Sequence, residues 1–189
     1  MQRIDIDKQL SLELLRNDHA AQLAALIDSN RDFLRQWLPW LDLNRSVADS
    51  SQFIQETMRQ HRLGTGVQYA IVERTAAQRV IGVIGYTRID KHNRTGKLGY
   101  WIDQVRSGEG IASRSVEHML PLGFGELELH KIEIHCSVHN RRARALAERL
   151  GFVHEAILRD CELLNGKYVD HAIYSLLASE YRANVPAGT

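Results

Sequence analysis

The stretch that decides the fold is KLGYWIDQVRSGEGIA, residues 97–112. Its first part, Lys97–Ile102, is rich in β-forming residues and predicts a strand. Gly108 and Gly110 predict a tight turn, and apolar residues near helical spacing predict a helix over 111–124. Such a helix points free N–H groups and a partial positive charge into the turn. The segment therefore suits an anion such as a pyrophosphate.

Two other phosphate-binding motifs are excluded at this turn. A P-loop needs Gly-Lys-Ser/Thr, which the sequence lacks. A Rossmann fingerprint needs a third spaced glycine, whereas residues 108–112 read GEGIA. A glycine-rich turn that only interrupts the chain remains the alternative to an anion site, because short glycine patterns are weak signals.

The flanking segments predict an α+β protein with a mixed sheet and helices on both faces. Before the turn, strands are predicted at 10–15, Gln68–Arg74 and Val80–Arg88, the last two forming an antiparallel meander with Lys97–Ile102. Helices are predicted from an Asn17-Asp18 cap to about Ser29, and over 47–62 behind a Ser46/Asp49 capping box. After the turn, the elements are a strand Lys131–Val138, a helix Asn140–Leu150, and strands Phe152–Arg159 and His171–Leu177.

Composition excludes several classes of protein. The chain has 189 residues, 44% of them hydrophobic and 25% charged, with a formal net charge of +1. We expect one domain over 1–182 and a flexible tail over 183–189. The balanced charge gives no reason to expect nucleic-acid or anionic-membrane binding. Two cysteines cannot build a disulfide framework, and the charged N-terminus does not resemble a signal peptide, so we expect a cytoplasmic protein.

A second signal lies at the junction of the strand ending at Val138 and the next helix. Asn140 opens that helix, and an ordinary N-cap would explain it fully. The alternative is that Asn140 reaches a ligand in a gap between strands. The spacing of residues does not decide between the two.

These motifs together resemble the GNAT acyltransferase superfamily. The superfamily's Q/R-x-x-G-x-G/A motif corresponds to Ser107–Ala112, and its N-x-x-A…LGF block corresponds to Asn140–Ala143 and Leu150–Phe152. Within the superfamily, the chain is similar to the ribosomal-protein N-terminal acetyltransferases, above all the ribosomal-protein-serine (RimL) group. The stretches that carry this similarity are WLPWL (37–41), GYWI (99–102) and RDCELLNG (159–166).

The resemblance implies a GNAT fold whose mostly antiparallel sheet is splayed around acetyl-CoA. It implies direct transfer of acetyl to an amine. No metal is expected, because His135 and His139 on one strand would lie about 13 Å apart, too far to share an ion. The residues that it assigns to acetyl-CoA binding run from the strand end into the helix, with two more near the second motif: Ile102, Asp103, Gln104, Arg106, Ser107, Gly108, Glu109, Gly110, Ile111, Ala112, Asn140 and Arg142. Arg141, Arg142 and Arg144 would meet the 3′-phosphate or form a solvated helix face.

The resemblance also implies catalytic roles. Glu162 would be the general base, by analogy with a Glu after the penultimate strand, unless it is a solvated surface residue. A backbone N–H near Ile102–Gln104 would stabilise the oxyanion, and Asn140 would hold the pantetheine or the acetyl-adjacent amide. The sequence departs from the family where relatives carry a Ser or a Tyr acid, since these positions are Ala143 and Ala147, and the general acid stays unassigned.

Aromatic residues are the candidates for binding the acceptor amine. They are Trp37, Trp40, Tyr100 and Trp101, although core packing explains Trp37 better and explains Trp101 equally well. The expected acceptor is a protein N-terminus. The alternatives are a small amine such as a polyamine, an aminoglycoside or an amino acid, or a non-catalytic acyl-CoA-binding module. The RimL group also implies a homodimer. Ser107 stands where the family has Gln or Arg, and the adjacent Arg106 is a candidate substitute.

Overall fold

The structure is a computed structural model, and it describes residues 2–184. Within that range the strands are β1 (Arg3–Asp5), β2 (Leu10–Leu14), β3 (Val67–Glu73), β4 (Arg79–Asp90), β5 (Thr95–Ile102), β6 (Lys131–Ser137), β7 (Val153–Leu164) and β8 (Lys167–Leu177). The α-helices of the same range are α1 (Ala20–Ser29), α2 (Arg31–Leu34), α3 (Val47–Leu63), α4 (Ile111–Pro121), α5 (Arg141–Arg149) and α6 (Ala178–Asn184). No helix of the described residues is long and apolar enough to cross a membrane.

All eight strands form one sheet in the order β1-β2-β3-β4-β5-β6-β8-β7. Every neighbouring pair is antiparallel except β5 and β6, which are parallel. The mixed, mostly antiparallel sheet and the β3-β4-β5 meander are therefore confirmed. The short strand β1 was not predicted, because three residues carry too little alternation to be recognised.

The parallel pair is short and opens into a gap. Pairing joins only Thr95–Lys97 to Lys131–Glu133. Both strands continue beyond this point, β5 to Ile102 and β6 to Ser137, without further pairs between them. We call the space between these unpaired stretches the β5–β6 gap. The sheet therefore splays between β5 and β6, as expected.

Helices cover both faces of the sheet, as predicted. One apolar cluster packs α1 to α3 on β3 and β4, and Trp101 of β5 joins it; we call this side the α1–α3 face. A second cluster packs α4 and α5 on the opposite side, with Leu98, Tyr100 and Ile102 of β5; we call this side the α4–α6 face. Alternate residues of β5 therefore point to opposite faces.

Some helix ends follow local sequence rules and others break them. The α3 cap is confirmed, since Ser46 Oγ accepts the Asp49 N–H at 3.2 Å. The Asn17-Asp18 cap is wrong, because a 3₁₀ turn precedes α1 and no side chain caps that helix. The helix predicted to 124 is α-helical only to Pro121, after which a π turn follows. A proline lacks the N–H that a regular helix needs at that position.

The last hairpin is longer than the sequence predicted. Strand Phe152–Arg159 in fact extends to Leu164, and strand His171–Leu177 begins at Lys167. The two-residue turn between them is Asn165-Gly166, with φ of 51° and 79°. This pattern fits a type I′ turn, which matches the twist of paired strands. Glu162 consequently lies inside a strand rather than after one.

The tail expected at 183–189 is in part helical. Residues 183 and 184 belong to α6, which is held by stacking of Tyr181 on Phe124 at a centroid distance of 4.9 Å. The remaining residues, 185–189, lie outside the described residues.

Candidate active site

The loop between β5 and α4 has the geometry of an anion site. Gly108 and Gly110 adopt φ of 93° and 73°, and nothing lies within 4 Å of where their Cβ atoms would be. Glycine is therefore required by backbone conformation and not by crowding. The N–H of Arg114 donates to Gly110 O at 3.0 Å. The amides from Ile111 to Ser113 precede this bond and remain available to a ligand.

Buried side chains fix the start of this loop. Asp103 is 3% exposed, and its Oδ2 lies 2.5 Å from Arg79 Nη2. Asn30, which is 4% exposed, accepts the Gln104 N–H on Oδ1 at 2.7 Å. The Nδ2 of Asn30 donates to Leu26 O at 2.9 Å. The loop is thus tied to β4 and to the C-terminal end of α1.

Arg106 is already paired with carboxylates. Its Nη2 lies 2.5 Å from Glu73 Oε1, and its Nη1 lies 3.5 Å from Glu109 Oε1. These groups line a cleft of about 420 Å³ against the ends of β2 and β3. Because its charge is balanced there, Arg106 is a weak substitute for the Gln or Arg that Ser107 replaces. Any anion bound at this loop would therefore be held by the backbone amides.

Only some of the expected β5 amides are available to a ligand. The N–H of Asp103 donates to Ile81 O at 2.7 Å, so these two residues form a hydrogen-bonded pair. Hydrogen-bonded and non-bonded pairs alternate along an antiparallel ladder. The N–H groups of Ile102 and Tyr100 therefore turn away from β4 and into the β5–β6 gap. Of the expected oxyanion donors Ile102–Gln104, the N–H groups of Asp103 and Gln104 have internal acceptors, and that of Ile102 faces the gap.

The other wall of the gap leads into α5. Asn140 Oδ1 accepts the Ala143 N–H at 3.1 Å, so Asn140 is the N-cap. Its amide nitrogen is a separate group and can still serve a ligand. Arg141 and Arg142 are exposed. Arg144 is engaged within the fold, since its Nε donates to a tyrosine hydroxyl of β8 at 3.1 Å.

Glu162 is positioned by a bulge in β7. The register shifts between Leu158 and Glu162, and Asp160 within the bulge has φ of 47°. Glu162 then pairs with Val169, two residues from His171 and on the same face. Glu162 Oε2 lies 3.1 Å from His171 Nε2. The side chains of Glu162 and His171 are 28% and 11% exposed. The Glu162 carboxylate is therefore held by His171 and is still accessible to solvent.

A second carboxylate–histidine pair lies on the same face of β6. His135 Nε2 lies 3.0 Å from Glu133 Oε2. Burial lowers the pKa of His135, and the nearby Lys97 ammonium lowers it further. Burial alone would raise the pKa of Glu133, but hydrogen bonds from His135 and Lys131 bring it below its ordinary value. Because Ser137 pairs with His171, both carboxylate–histidine pairs lie on the α1–α3 face.

The aromatic candidates are divided between the two faces. Trp40 stacks on Phe53 with centroids 6.0 Å apart, and its ring centroid is 6.3 Å from that of Trp101. These rings form an apolar wall on the α1–α3 face, which is the face of Glu162. Trp37 is half-buried and is not part of this cluster. Tyr100 points to the α4–α6 face, so it does not line the same surface as Trp101.

Residues 9–153 match the family model described as "Acetyltransferase (GNAT) domain". This match covers most of the chain. The chain belongs to the GNAT acetyltransferase family.

Similar proteins extend this assignment over almost the whole chain. A ribosomal-protein-serine acetyltransferase of Escherichia coli is 30% identical over 172 residues, covering 91% of this chain and 94% of that protein. A putative ribosomal N-acetyltransferase, YdaF, of Bacillus subtilis is 32% identical, covering 93% and 95%. The solved structure of a RimL ribosomal L7/L12 α-N-protein acetyltransferase with coenzyme A is 26% identical, with a TM-score of 0.89 over 94% of this chain and 99% of that one. The expected fold, family and RimL resemblance are confirmed, and this GNAT protein is an N-acetyltransferase.

Sequence reasoning missed two residues, Asn30 and His171, that contact the candidate site residues Gln104 and Glu162. Asn30 follows a helix, and its sequence context indicates only a helix end. His171 lies in a predicted strand, and the alternation of that strand indicates only which face of the sheet it occupies. Both act on residues distant in sequence, Gln104 and Glu162, and no local pattern records such a contact.

Proposed function

We propose that this chain transfers acetyl from acetyl-CoA directly to the α-amine of a protein N-terminus, with Glu162 as general base. The observation that carries the proposal is the placement of Glu162. It is held by His171 on the α1–α3 face, the face that also presents the Trp40–Trp101 wall. A base and an apolar acceptor wall on one side of the β5–β6 gap fit an amine that approaches from that side.

Acetyl-CoA would bind with its pyrophosphate at the loop between β5 and α4 and its pantetheine in the β5–β6 gap. The free amides from Ile111 to Ser113, with Gly108 and Gly110, would bind the pyrophosphate. The pantetheine would lie along the unpaired edge of β5 and take hydrogen bonds that a neighbouring strand would otherwise make. The Asn140 amide nitrogen would meet it from the other wall. The N–H of Ile102 or Tyr100 would stabilise the thioester oxygen as it becomes negative.

The acceptor must lose a proton before it attacks. A free α-amino group has a pKa near 7.7–8.0, so at pH 7 it is mostly protonated but easily neutralised. Glu162 can take the proton directly or through a water molecule. His171 fixes the orientation of the carboxylate, because it contacts one of the two oxygens, and the Glu162 side chain stays 28% exposed.

The test is Glu162→Gln, with Glu117→Gln on the exposed side of α4 as the control. We expect Glu162→Gln to lower kcat about 100-fold or more while the Kd for acetyl-CoA, measured by titration calorimetry, stays unchanged. Glu117→Gln should change neither. Full kcat in Glu162→Gln would show that another group is the base.

The acceptor is tested by thiol release with peptides and small amines. Turnover of peptides that begin with Ser or Ala, with activity that falls when the peptide is shortened to one residue, is the expected result. Turnover of only a polyamine, an aminoglycoside or a free amino acid would move the protein to small-amine acetylation. Acetyl-CoA binding with no turnover of any acceptor would favour a binding module over an enzyme.

We further propose that the protein works in the cytoplasm as a homodimer joined along β7. This strand is one of the two edges of the described sheet, and an edge strand offers unpaired backbone groups to another chain. It also exposes about half of several apolar side chains: Val153 52%, Ile157 52%, Leu158 46% and Leu163 53%. A second copy would bury these side chains and pair the edge.

A further inference from the structure

Glu109 places a negative charge inside the loop that is proposed to bind the phosphates of acetyl-CoA. It lies between Gly108 and Gly110, whose φ angles are 93° and 73°. Gly110 is the N-cap of α4, and glycine has no side chain with which to cap the helix. The amides of the first helical turn therefore attract an anion that reaches them. The carboxylate of Glu109 belongs to the residue next to this cap, so it can compete with a phosphate for the amides.

The structure shows Glu109 paired with a guanidinium instead. Arg106 Nη1 lies 3.5 Å from Glu109 Oε1, and Arg106 Nη2 lies 2.5 Å from Glu73 Oε1. The exposed fraction of the side chain falls along this row, from 48% at Glu109 to 34% at Arg106 and 14% at Glu73. The less exposed end at Glu73 fixes the guanidinium, and the guanidinium in turn restrains the more exposed carboxylate of the loop.

Two other cations that line the same cleft are engaged elsewhere. Arg74 Nη1 donates to Asp7 O at 3.1 Å, and Arg114 Nη1 is paired with Asp7 Oδ2. Among the residues that the structure describes, neither of them forms an ion pair with Glu109. Loss of Arg106 would therefore leave the Glu109 carboxylate without a cationic partner beside the first turn of α4.

We propose that Arg106 is a positioning residue that keeps the anion loop open, an inference that rests on the acetyl-CoA binding proposed above. With Arg106 in place, the Glu109 carboxylate is neutralised at the cleft and the amides of α4 stay available to the phosphates. Without it, the carboxylate turns to the same amides and repels the ligand, because both carry negative charge. Arg106 thus assists binding through Glu109 and need not touch the phosphates itself.

The first experiment measures the Kd for acetyl-CoA in Arg106→Gln, in Glu109→Gln and in the double variant. We expect Arg106→Gln to raise Kd about fivefold at low ionic strength. Glu109→Gln alone should stay within about twofold of the wild type, because this charge is already neutralised, and adding it to Arg106→Gln should restore the wild-type Kd. An unchanged Kd in Arg106→Gln would overturn the proposal. A double variant that binds as weakly as Arg106→Gln would overturn it too, since the guanidinium would then act without Glu109.

Arg74→Gln is the matched control for Arg106→Gln. Arg74 lines the same cleft, and its side chain is also 34% exposed. The substitution removes a positive charge near the loop but takes no partner from Glu109, so Kd should stay within about twofold of the wild type. A Kd raised as much as in Arg106→Gln would show that the cations of the cleft act alike, which contradicts a specific role for Arg106.

The second experiment repeats these titrations as ionic strength rises. Salt screens exposed charges, and the Glu109 side chain is 48% exposed. The Kd of Arg106→Gln divided by that of the wild type should therefore fall towards one in high salt. A ratio that stays constant would show that the substitution alters the shape of the loop and not its charge, and the proposal would be wrong.

The failure of this inference and the failure of the proposed function are distinguishable. If the wild type binds no acetyl-CoA, the proposed function is refuted and the role of Arg106 is refuted with it. If the wild type binds acetyl-CoA and acetylates an amine, but Arg106→Gln binds acetyl-CoA equally tightly, only the role of Arg106 is wrong.

Discussion

Replacing Asn30 with Ala tests whether the loop expected to bind acetyl-CoA depends on a contact from α1. Asn30 is 4% exposed and makes two hydrogen bonds that matter here, from the Gln104 N–H at 2.7 Å and to Leu26 O at 2.9 Å. The first holds the start of the loop, and the second holds the Asn30 side chain in place. Alanine removes both bonds.

The expected loss of stability follows from these two bonds. Each buried hydrogen bond contributes about 1 kcal/mol, and the Gln104 N–H left without its acceptor adds a similar cost. The total is about 2–3 kcal/mol. In a chain of this size, 1 kcal/mol shifts Tm by about 2–4 °C, so we expect Asn30→Ala to lower Tm by about 5–10 °C. If about 1 kcal/mol of this falls on ordering of the loop, the Kd for acetyl-CoA rises about fivefold.

Asn44 provides a matched control for this variant. It is also buried, at 5% exposure, and its Oδ1 accepts the Ser50 hydroxyl at 2.9 Å, away from the loop. Asn44→Ala should lower Tm without a change in the Kd for acetyl-CoA. Thermal denaturation and titration calorimetry on both variants separate the two effects. Equal Kd values in Asn30→Ala and in the wild type would refute the idea that α1 orders the loop.

Two further predictions concern pH and assembly. Burial lowers the pKa of His19, so the folded state favours its neutral form; the corresponding stability is complete above the unfolded value of about 6.5 and is lost as pH falls below it. His19→Gln should therefore reduce the fall in Tm between about pH 7 and pH 5, and an unchanged slope would contradict this. Leu163, which is 53% exposed on β7, should be covered in a dimer. Leu163→Lys should convert a dimer to a monomer in sedimentation velocity, whereas a monomeric wild type would overturn the proposed assembly.

The fold was predictable where neighbouring residues decide the structure. The α3 cap at Ser46 and the glycine turn before α4 depend on side chains and φ angles within a few residues. The alternation in β3, β4 and β5 likewise identifies strands without reference to the rest of the chain. The Asn165-Gly166 turn could also have been predicted from the sequence, because it depends on two adjacent residues. It was missed because the polar residues around it obscured the strands on either side.

The site was predictable only in part, because its chemistry depends on register. Glu162 was predicted as a site residue through a family resemblance, but its contact with His171 follows from a bulge that shifts the pairing of β7 and β8. A one-residue change in such a register moves a side chain to the other face. The opposite faces of Tyr100 and Trp101 follow from strand alternation, whereas the partners that occupy the N–H groups of Asp103 and Gln104 lie far away in sequence.

The short seam between β5 and β6 also divides the chain into two folding units. On one side, each strand from β1 to β5 pairs with the next strand along the chain; on the other side, β8 lies between β6 and β7 and pairs with both. Only the pairs Thr95–Lys97 with Lys131–Glu133 connect the two ladders. Each ladder can therefore form from contacts that are comparatively local, and joining them is the late step. In hydrogen exchange, the amides of this seam should lose protection before those of either ladder.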